Sequence, residues 1–207
     1  FLAGHSLHNL ERIPLVGHLL RRLSPHDKNR VDRLMIPFPP GLLRLQQGEG
    51  QAGAVKGLTE AQRQAYDSVQ QQFQEKGVVL LHGVTSSGKT ELYIHLIREQ
   101  LEKGKQVLYL LPEIALTAQI IHRLKIVFGD RVGVYHSKFP DNERVEIYNQ
   151  LLDESNVNRY QVILGVRSSV FLPFSRLGLV IVDEEHENTY KQFDPAPRYH
   201  ARDVAIL

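Results

Sequence analysis

The residues with the clearest chemical meaning lie in one run, Gly83-Val84-Thr85-Ser86-Ser87-Gly88-Lys89-Thr90. Two glycines bracketing a short polar stretch, followed at once by lysine and a hydroxyl residue, form the pattern of a phosphate-binding loop. Glycine lets backbone N–H groups turn inward and approach phosphate oxygens closely. Lys89 would neutralise charge on the β- and γ-phosphates, and the Thr90 hydroxyl would ligate Mg²⁺. A second group stands far downstream, Asp183-Glu184-Glu185-His186, directly after an apolar run. There Asp183 would hold Mg²⁺, usually through water, and Glu184 would polarise or deprotonate an attacking water. Lys89, Asp183 and Glu184 are thus the candidate catalytic residues, and Thr90 and Asp183 the candidate metal ligands. Taken singly, the two motifs could be a chance Gly/Ser-rich turn and a solvated acidic turn. Together they point to a bound nucleoside triphosphate and its hydrolysis.

Such residues need elements that bring them to one place. Residues 78–81 (Val-Val-Leu-Leu) read as a short buried strand leading into the loop. After it, residues 91–101 carry apolar side chains at helical spacing, so a helix would point its positive end at the phosphates. Further strands are expected at 106–111, 132–137, 161–166 and 177–182, with helices after Pro112 and from Pro140 to about Asp153. Strands alternating with helices predict an α/β fold with a mostly parallel, doubly wound sheet, its ligands at the carboxyl ends of the strands.

Composition sets the outer limits. The 207 residues suffice for one well-buried domain, with 42% hydrophobic and 23% charged residues, ordinary for a globular protein. A net charge of +2 neither requires nor excludes a nucleic-acid partner, because clustering of charge matters more than its sum. Without cysteine the chain can form neither a disulfide nor a cysteine zinc site. No apolar run approaches a membrane span and no secretory signal is seen, so a cytoplasmic location is the expectation. The chain starts at Phe1 and stops at Leu207 inside an apolar, helical-looking stretch, which suggests a piece of something larger.

Residues 1–56 read as a linker or a partial domain with a short helical segment, broken by Pro37, Pro39, Pro40 and Gly41. His5, His8, His18 and His26 lack a tidy ligand spacing with acidic partners. A helix starts anew near Thr59, with Gln62 at the capping-box position. In the same place Gln62 could instead read adenine through its side-chain amide. Capping and base reading compete for one side chain, and the downstream motifs favour adenine.

One further stretch is chemically distinctive. Residues 187–200 interleave Tyr190, Phe193 and Tyr199 with Lys191 and Arg198. Aromatic faces stack on unpaired bases and cations follow the backbone, so this composition suits single-stranded DNA.

The motifs as a set resemble the superfamily 2 helicases. Among these they are most similar to the PriA (primosomal protein N′) family of bacterial replication-restart helicases. The resemblance rests on residues 83–91, 111–117 (Leu-Pro-Glu-Ile-Ala-Leu-Thr), Tyr135-His136-Ser137, 165–171 (Gly-Val-Arg-Ser-Ser-Val-Phe), Asp183-Glu184-Glu185-His186 and 197–203. It covers residues 57–207 and implies a RecA-like P-loop NTPase lobe, the first motor lobe of a DNA-dependent ATPase and 3′-to-5′ helicase. It implies ATP and Mg²⁺ as ligands and single-stranded and forked DNA as partners, with primosome and single-strand-binding proteins beyond them. By the same resemblance Thr117, Arg167 and Ser168 line a single-strand track. Tyr190, Lys191, Arg198 and Tyr199 then belong to an aromatic-rich loop that links DNA to hydrolysis. Ser86 departs from a glycine common in the family, a change expected to be tolerated. A second lobe with its arginine, and a zinc-binding insertion, are expected beyond Leu207, so this segment alone is expected to hydrolyse ATP poorly. Rival readings are another superfamily 2 translocase, a small P-loop kinase and a nucleotide-sensing module.

Overall fold

The computed structural model of the chain describes residues 55–82, 88–137, 139–153, 155 and 159–207. Nearly all of the segment expected at 1–56, and the loop residues Gly83, Val84, Thr85, Ser86 and Ser87, lie outside that range. Among the described residues, helix α1 spans Glu60–Glu75 and α2 spans Lys89–Glu102. Strand β1 is Gln106–Leu110, followed by α3 at Ala118–Phe128 and β2 at Val132–Tyr135. Helix α4 at Asp141–Leu152 leads to β3 at Val162–Gly165 and then to β4 at Leu177–Val182. Two short strands, β5 (Lys191–Gln192) and β6 (Tyr199–His200), precede α5 at Ala201–Ala205.

Strands β1 to β4 form one parallel sheet in the order β2-β3-β1-β4. Their apolar character follows from cover on both faces. Val107 and Tyr109 turn to one side, where Ile94 and Ile97 of α2 and Leu124 of α3 bury them. Leu108 and Leu110 turn to the other, against Ile147 and Leu151 of α4. Strand period against helix period thus assembles a doubly wound, three-layer core, as expected. The register brings Leu110 opposite both Gly165 and Val182, and Tyr135 opposite Gly165. The carboxyl ends of all four strands therefore finish on one line. Gly165 has a packing reason to be glycine, since an added Cβ would fall 1.9 Å from the Ser169 hydroxyl.

One expected element differs. Residues 78–81 were expected as a buried strand, yet they join neither sheet and stay half-buried. They face β4 across a cleft of about 800 Å³, lined by Val78, Val79 and Leu81 on one side and 177–182 on the other. An apolar run records a demand for cover, not a hydrogen-bonding partner. Motif-led boundaries also shift. The helix after Pro112 begins only at Ala118, with Thr117 as its cap, so residues 113–115 form a turn. Among the described residues no helix is long and apolar enough to cross a membrane.

Candidate functional site

The site lies at the carboxyl edge of the sheet, where α2 begins and β4 ends. Helix α2 starts directly after Gly88, which takes a left-handed conformation (φ 80°) that glycine adopts without strain. No side chain among the described residues caps this helix, and a helix N-terminus following a glycine in this way is where an anion would be met by backbone N–H groups. Lys89, its first residue, is buried to 6% exposure. Burial lowers its pKa, and the charges of Asp183 and Glu184 oppose that lowering. A lysine held this way faces the acidic turn rather than solvent. Thr90 follows it, half-buried. The next residue, Glu91, is tied to Arg123 of α3 at 2.5 Å, which anchors the first turn of α2.

The acidic turn is set by the ladder. The Asp183 N–H donates to the Leu110 carbonyl at 3.0 Å, extending the β1–β4 pairing by one residue. Glu184 then takes a positive φ of 49°, outside the regions open to most residues, and the chain turns so that Glu187 N–H donates to the Glu184 carbonyl. Such a conformation costs on the order of 1–3 kcal/mol and persists where the surroundings fix it. Here they do so firmly, since Glu184 is 4% and Glu185 3% exposed. Glu185 is paired with Arg202 of α5 at 2.7 Å. The Asp183 carboxylate has one oxygen, Oδ2, accepting from the Tyr109 hydroxyl at 3.0 Å. Its other oxygen, Oδ1, is buried without a hydrogen-bond partner among the described residues. Burial raises the Asp183 pKa to about 7; the Tyr109 hydrogen bond opposes it, the Glu184 charge adds to it, and a hydrogen bond from the Glu184 backbone and the Lys89 charge oppose it.

That combination is costly in an unliganded protein and informative for that reason. A buried carboxylate oxygen with no donor, near a lysine at an open helix N-terminus, suits a hard divalent cation carried with phosphates. The donor set fits Mg²⁺, which Asp183 and Thr90 would hold.

Other expected residues fare unevenly. Gln62 closes the capping box in full: the Thr59 N–H donates to its Oε1 at 2.9 Å and its own N–H donates to the Thr59 hydroxyl at 3.4 Å. Its Nε2 donates to the Gly88 carbonyl at 3.3 Å. The arrangement seen is the cap, because local geometry rewards it without any ligand. Gln62 nonetheless stands against the end of the phosphate loop. Thr117 caps α3 by accepting from the Ile120 N–H and is only 7% exposed, so its hydroxyl serves the helix rather than a phosphate. The Ser168 hydroxyl is likewise buried and cannot meet a phosphate directly.

The segment after the acidic turn divides in two. Tyr190 was expected among the base-stacking aromatics, but it is 1% exposed and offers no ring face to a base. Its hydroxyl instead donates to the Asp183 carbonyl at 2.6 Å. Beyond it, β5 and β6 pair antiparallel as a small hairpin, with Lys191 opposite His200 and Gln192 opposite Tyr199. Lys191, Phe193 and Arg198 are exposed on it, and the Lys191 ammonium lies 4.7 Å from the Phe193 ring centre. Tyr199 is half-buried, edge-on to Phe171 at 4.9 Å. Arg167 reaches this hairpin from the turn after β3, donating to the Lys191 carbonyl at 2.8 Å. Sequence reasoning missed Tyr109, Glu185 and Arg202. A faint signal existed for the first, the one phenol among the aliphatic residues of an inner strand.

Comparison with known proteins agrees with this geometry. The DEAD/DEAH box helicase family matches residues 59–205, and the chain belongs to that family. Among curated proteins, it is similar to "Replication restart protein PriA" of Bacillus subtilis, 43% identical over 151 residues, covering 72% of this chain and 18% of that protein. The Synechocystis protein of the same name is 44% identical over 164 residues, covering 79% of this chain and 19% of the relative. That of Haemophilus influenzae is 47% identical over 130 residues, covering 63% of this chain and 17% of the relative. The chain thus spans about a fifth of the length of these relatives.

Proposed function

We propose that this chain is the ATP-binding first motor lobe of a DNA-dependent ATPase and 3′-to-5′ DNA helicase that acts in replication restart and primosome assembly. Residues 57–207 form the lobe. The single observation that carries the nucleotide half of this reading is the buried, partnerless Asp183 Oδ1 beside Lys89. In this reading the segment 83–90 cradles the phosphates, with the open N-terminus of α2 and Lys89 facing them. Mg²⁺, held by Thr90 and Asp183, supplies charge neutralisation at the phosphates when bound. Glu184 orients the attacking water and accepts its proton, and its burial keeps bulk water from competing. Gln62 reads adenine by leaving its cap, a modest local cost offset by the base it gains.

On the DNA side, Lys191, Phe193, Arg198 and Tyr199 grip a single strand, with Arg167 bracing the hairpin. Phosphates go to the cations and bases to the aromatic faces. Similarity to the restart proteins supports single-stranded and forked DNA, primosome proteins and single-strand-binding protein as partners, and a cytoplasmic site of action. Zinc is held, by family resemblance, in a cysteine-bearing part of the protein C-terminal to these residues, which contain no cysteine.

The test is Glu184→Gln in the protein at its natural length. DNA-stimulated ATP hydrolysis is expected to fall by two to three orders of magnitude, while affinity for a non-hydrolysable ATP analogue stays within a few-fold. Unchanged hydrolysis would reject the role given to Glu184. If the protein binds nucleotide without any DNA-stimulated hydrolysis even as wild type, a sensing module becomes the better reading.

A further inference from the structure

We infer that Tyr109 is a positioning residue for the metal-binding carboxylate: by holding Asp183 Oδ2 it turns Oδ1 toward the cation and fixes the carboxyl plane before any nucleotide arrives. The inference rests on the nucleotide reading of the site given above.

The geometry is specific. Tyr109 lies in the centre of the sheet on β1, between β3 and β4, with no exposed surface. Its neighbours on the strand, Val107, Leu108, Leu110 and Leu111, are all aliphatic, and packing alone asks for another of the same. A phenol there has to place its hydroxyl, and among the described residues the acceptor it meets is Asp183 Oδ2 at 3.0 Å. The ring cannot swing away, because Tyr93 of α2 packs edge-on against it at 5.6 Å and 78°.

The consequence is a division of labour on one carboxylate. One oxygen is committed to a rigid donor inside the core, and the other is left open at the site. Partners behind a metal ligand fix its orientation and commonly change metal affinity by about ten- to a hundred-fold when removed. Tyr93 further links this donor to the helix that begins at Lys89, so lysine and carboxylate are braced by the same pair of rings.

The experiment compares wild type, Tyr109→Phe and Tyr109→Leu in the protein at its natural length. Binding of Mn²⁺ is followed by its electron paramagnetic resonance signal in the presence of a non-hydrolysable ATP analogue. In parallel, ATP hydrolysis on single-stranded DNA is titrated with Mg²⁺. Tyr109→Phe keeps the ring and its contact with Tyr93, and is expected to weaken Mn²⁺ binding and raise half-saturating Mg²⁺ by about ten-fold. The rate at saturating Mg²⁺ should stay within about two-fold of wild type. A purely structural role would lower the rate at every Mg²⁺ concentration without moving half-saturation, and that result overturns the inference. So does metal binding unchanged in a folded variant. Tyr109→Leu gives the same readout should the phenylalanine variant fail to fold. Wild-type protein that fails to bind the analogue with or without metal would overturn the nucleotide reading itself, an outcome distinct from the other two.

Discussion

The acidic turn at 183–185 and the hairpin that follows it are neighbours in the chain and opposites in construction. The turn is an extension of the sheet: its first N–H is a ladder bond to Leu110, and Glu184 and Glu185 are almost wholly buried. Tyr109 holds it from the sheet and Tyr190 and Arg202 from the segment that follows. The hairpin is two residues deep on each strand and leaves Lys191, Phe193 and Arg198 outside. Reacting groups need fixed distances and a dry setting, and parallel strand ends provide both. Groups that grip a flexible polymer need reach and exposure, which a short hairpin provides. Tyr190 and Arg202 belong to the hairpin segment by sequence but to the acidic turn by contact. They are the physical link between the two regions.

The contrast can be broken most strongly at Asp183. Its folded pKa of about 7 stands above the ordinary 3.8. Between those values the folded, metal-free protein holds a proton that the unfolded chain has lost, so stability falls as pH rises through this window and levels off above it. Asp183→Asn should flatten that slope and raise stability at neutral pH by roughly 2–4 kcal/mol, read from urea unfolding at a series of pH values. A wild-type slope of opposite sign would show that the carboxylate is not held in a desolvated setting.

A smaller effect is expected at the link. Arg202→Ala leaves Glu185 buried without its cation and should cost about 2 kcal/mol in unfolding free energy, below the usual loss for a deeply buried pair because Arg202 is partly exposed. Replacing Glu185 and Arg202 together by Gln and Met should recover much of that loss, as a double-mutant cycle would reveal. Additive losses would mean the pair is incidental. Smallest for stability, and confined to the outer region, is Lys191→Ala with Arg198→Ala. Unfolding should change by less than about 0.5 kcal/mol for each. Affinity for single-stranded DNA should fall several-fold, and the salt dependence should lose roughly 0.7 of its slope per cation removed. A large stability loss here would show that the hairpin, too, is a packed element.

Much of the fold was legible because the inner strands repeat one pattern. Gln106–Leu110, Val132–Tyr135, Val162–Gly165 and Leu177–Val182 fall within one or two residues of where apolar runs and glycine placed them. The miss at 78–81 has the same cause as the successes. Apolar runs signal burial, and burial was achieved there only in part, without a ladder. At the candidate site, Lys89 stands at the start of α2 and Asp183 and Glu184 just past the end of β4, where the motif spacing predicts them. Thr117, Ser168 and Tyr190 were misread because a hydroxyl or a ring looks alike whether it caps a helix, fills a core or meets DNA. Burial separates those uses, and burial is a property of packing.

The sequence by itself determined which residue types stand together: a phosphate-loop pattern ending in a lysine, two carboxylates after an apolar strand, and a cationic, aromatic stretch beyond them. These are statements about residue types at close spacing, and local spacing needs no tertiary information. Only the tertiary structure decided that Gly165, Leu110 and Val182 end on one line and that Asp183 is dry with one oxygen committed. It alone placed a tyrosine 74 positions away behind that carboxylate. Contacts between residues distant in the chain depend on strand order and register, which the periodicity of any single element does not contain.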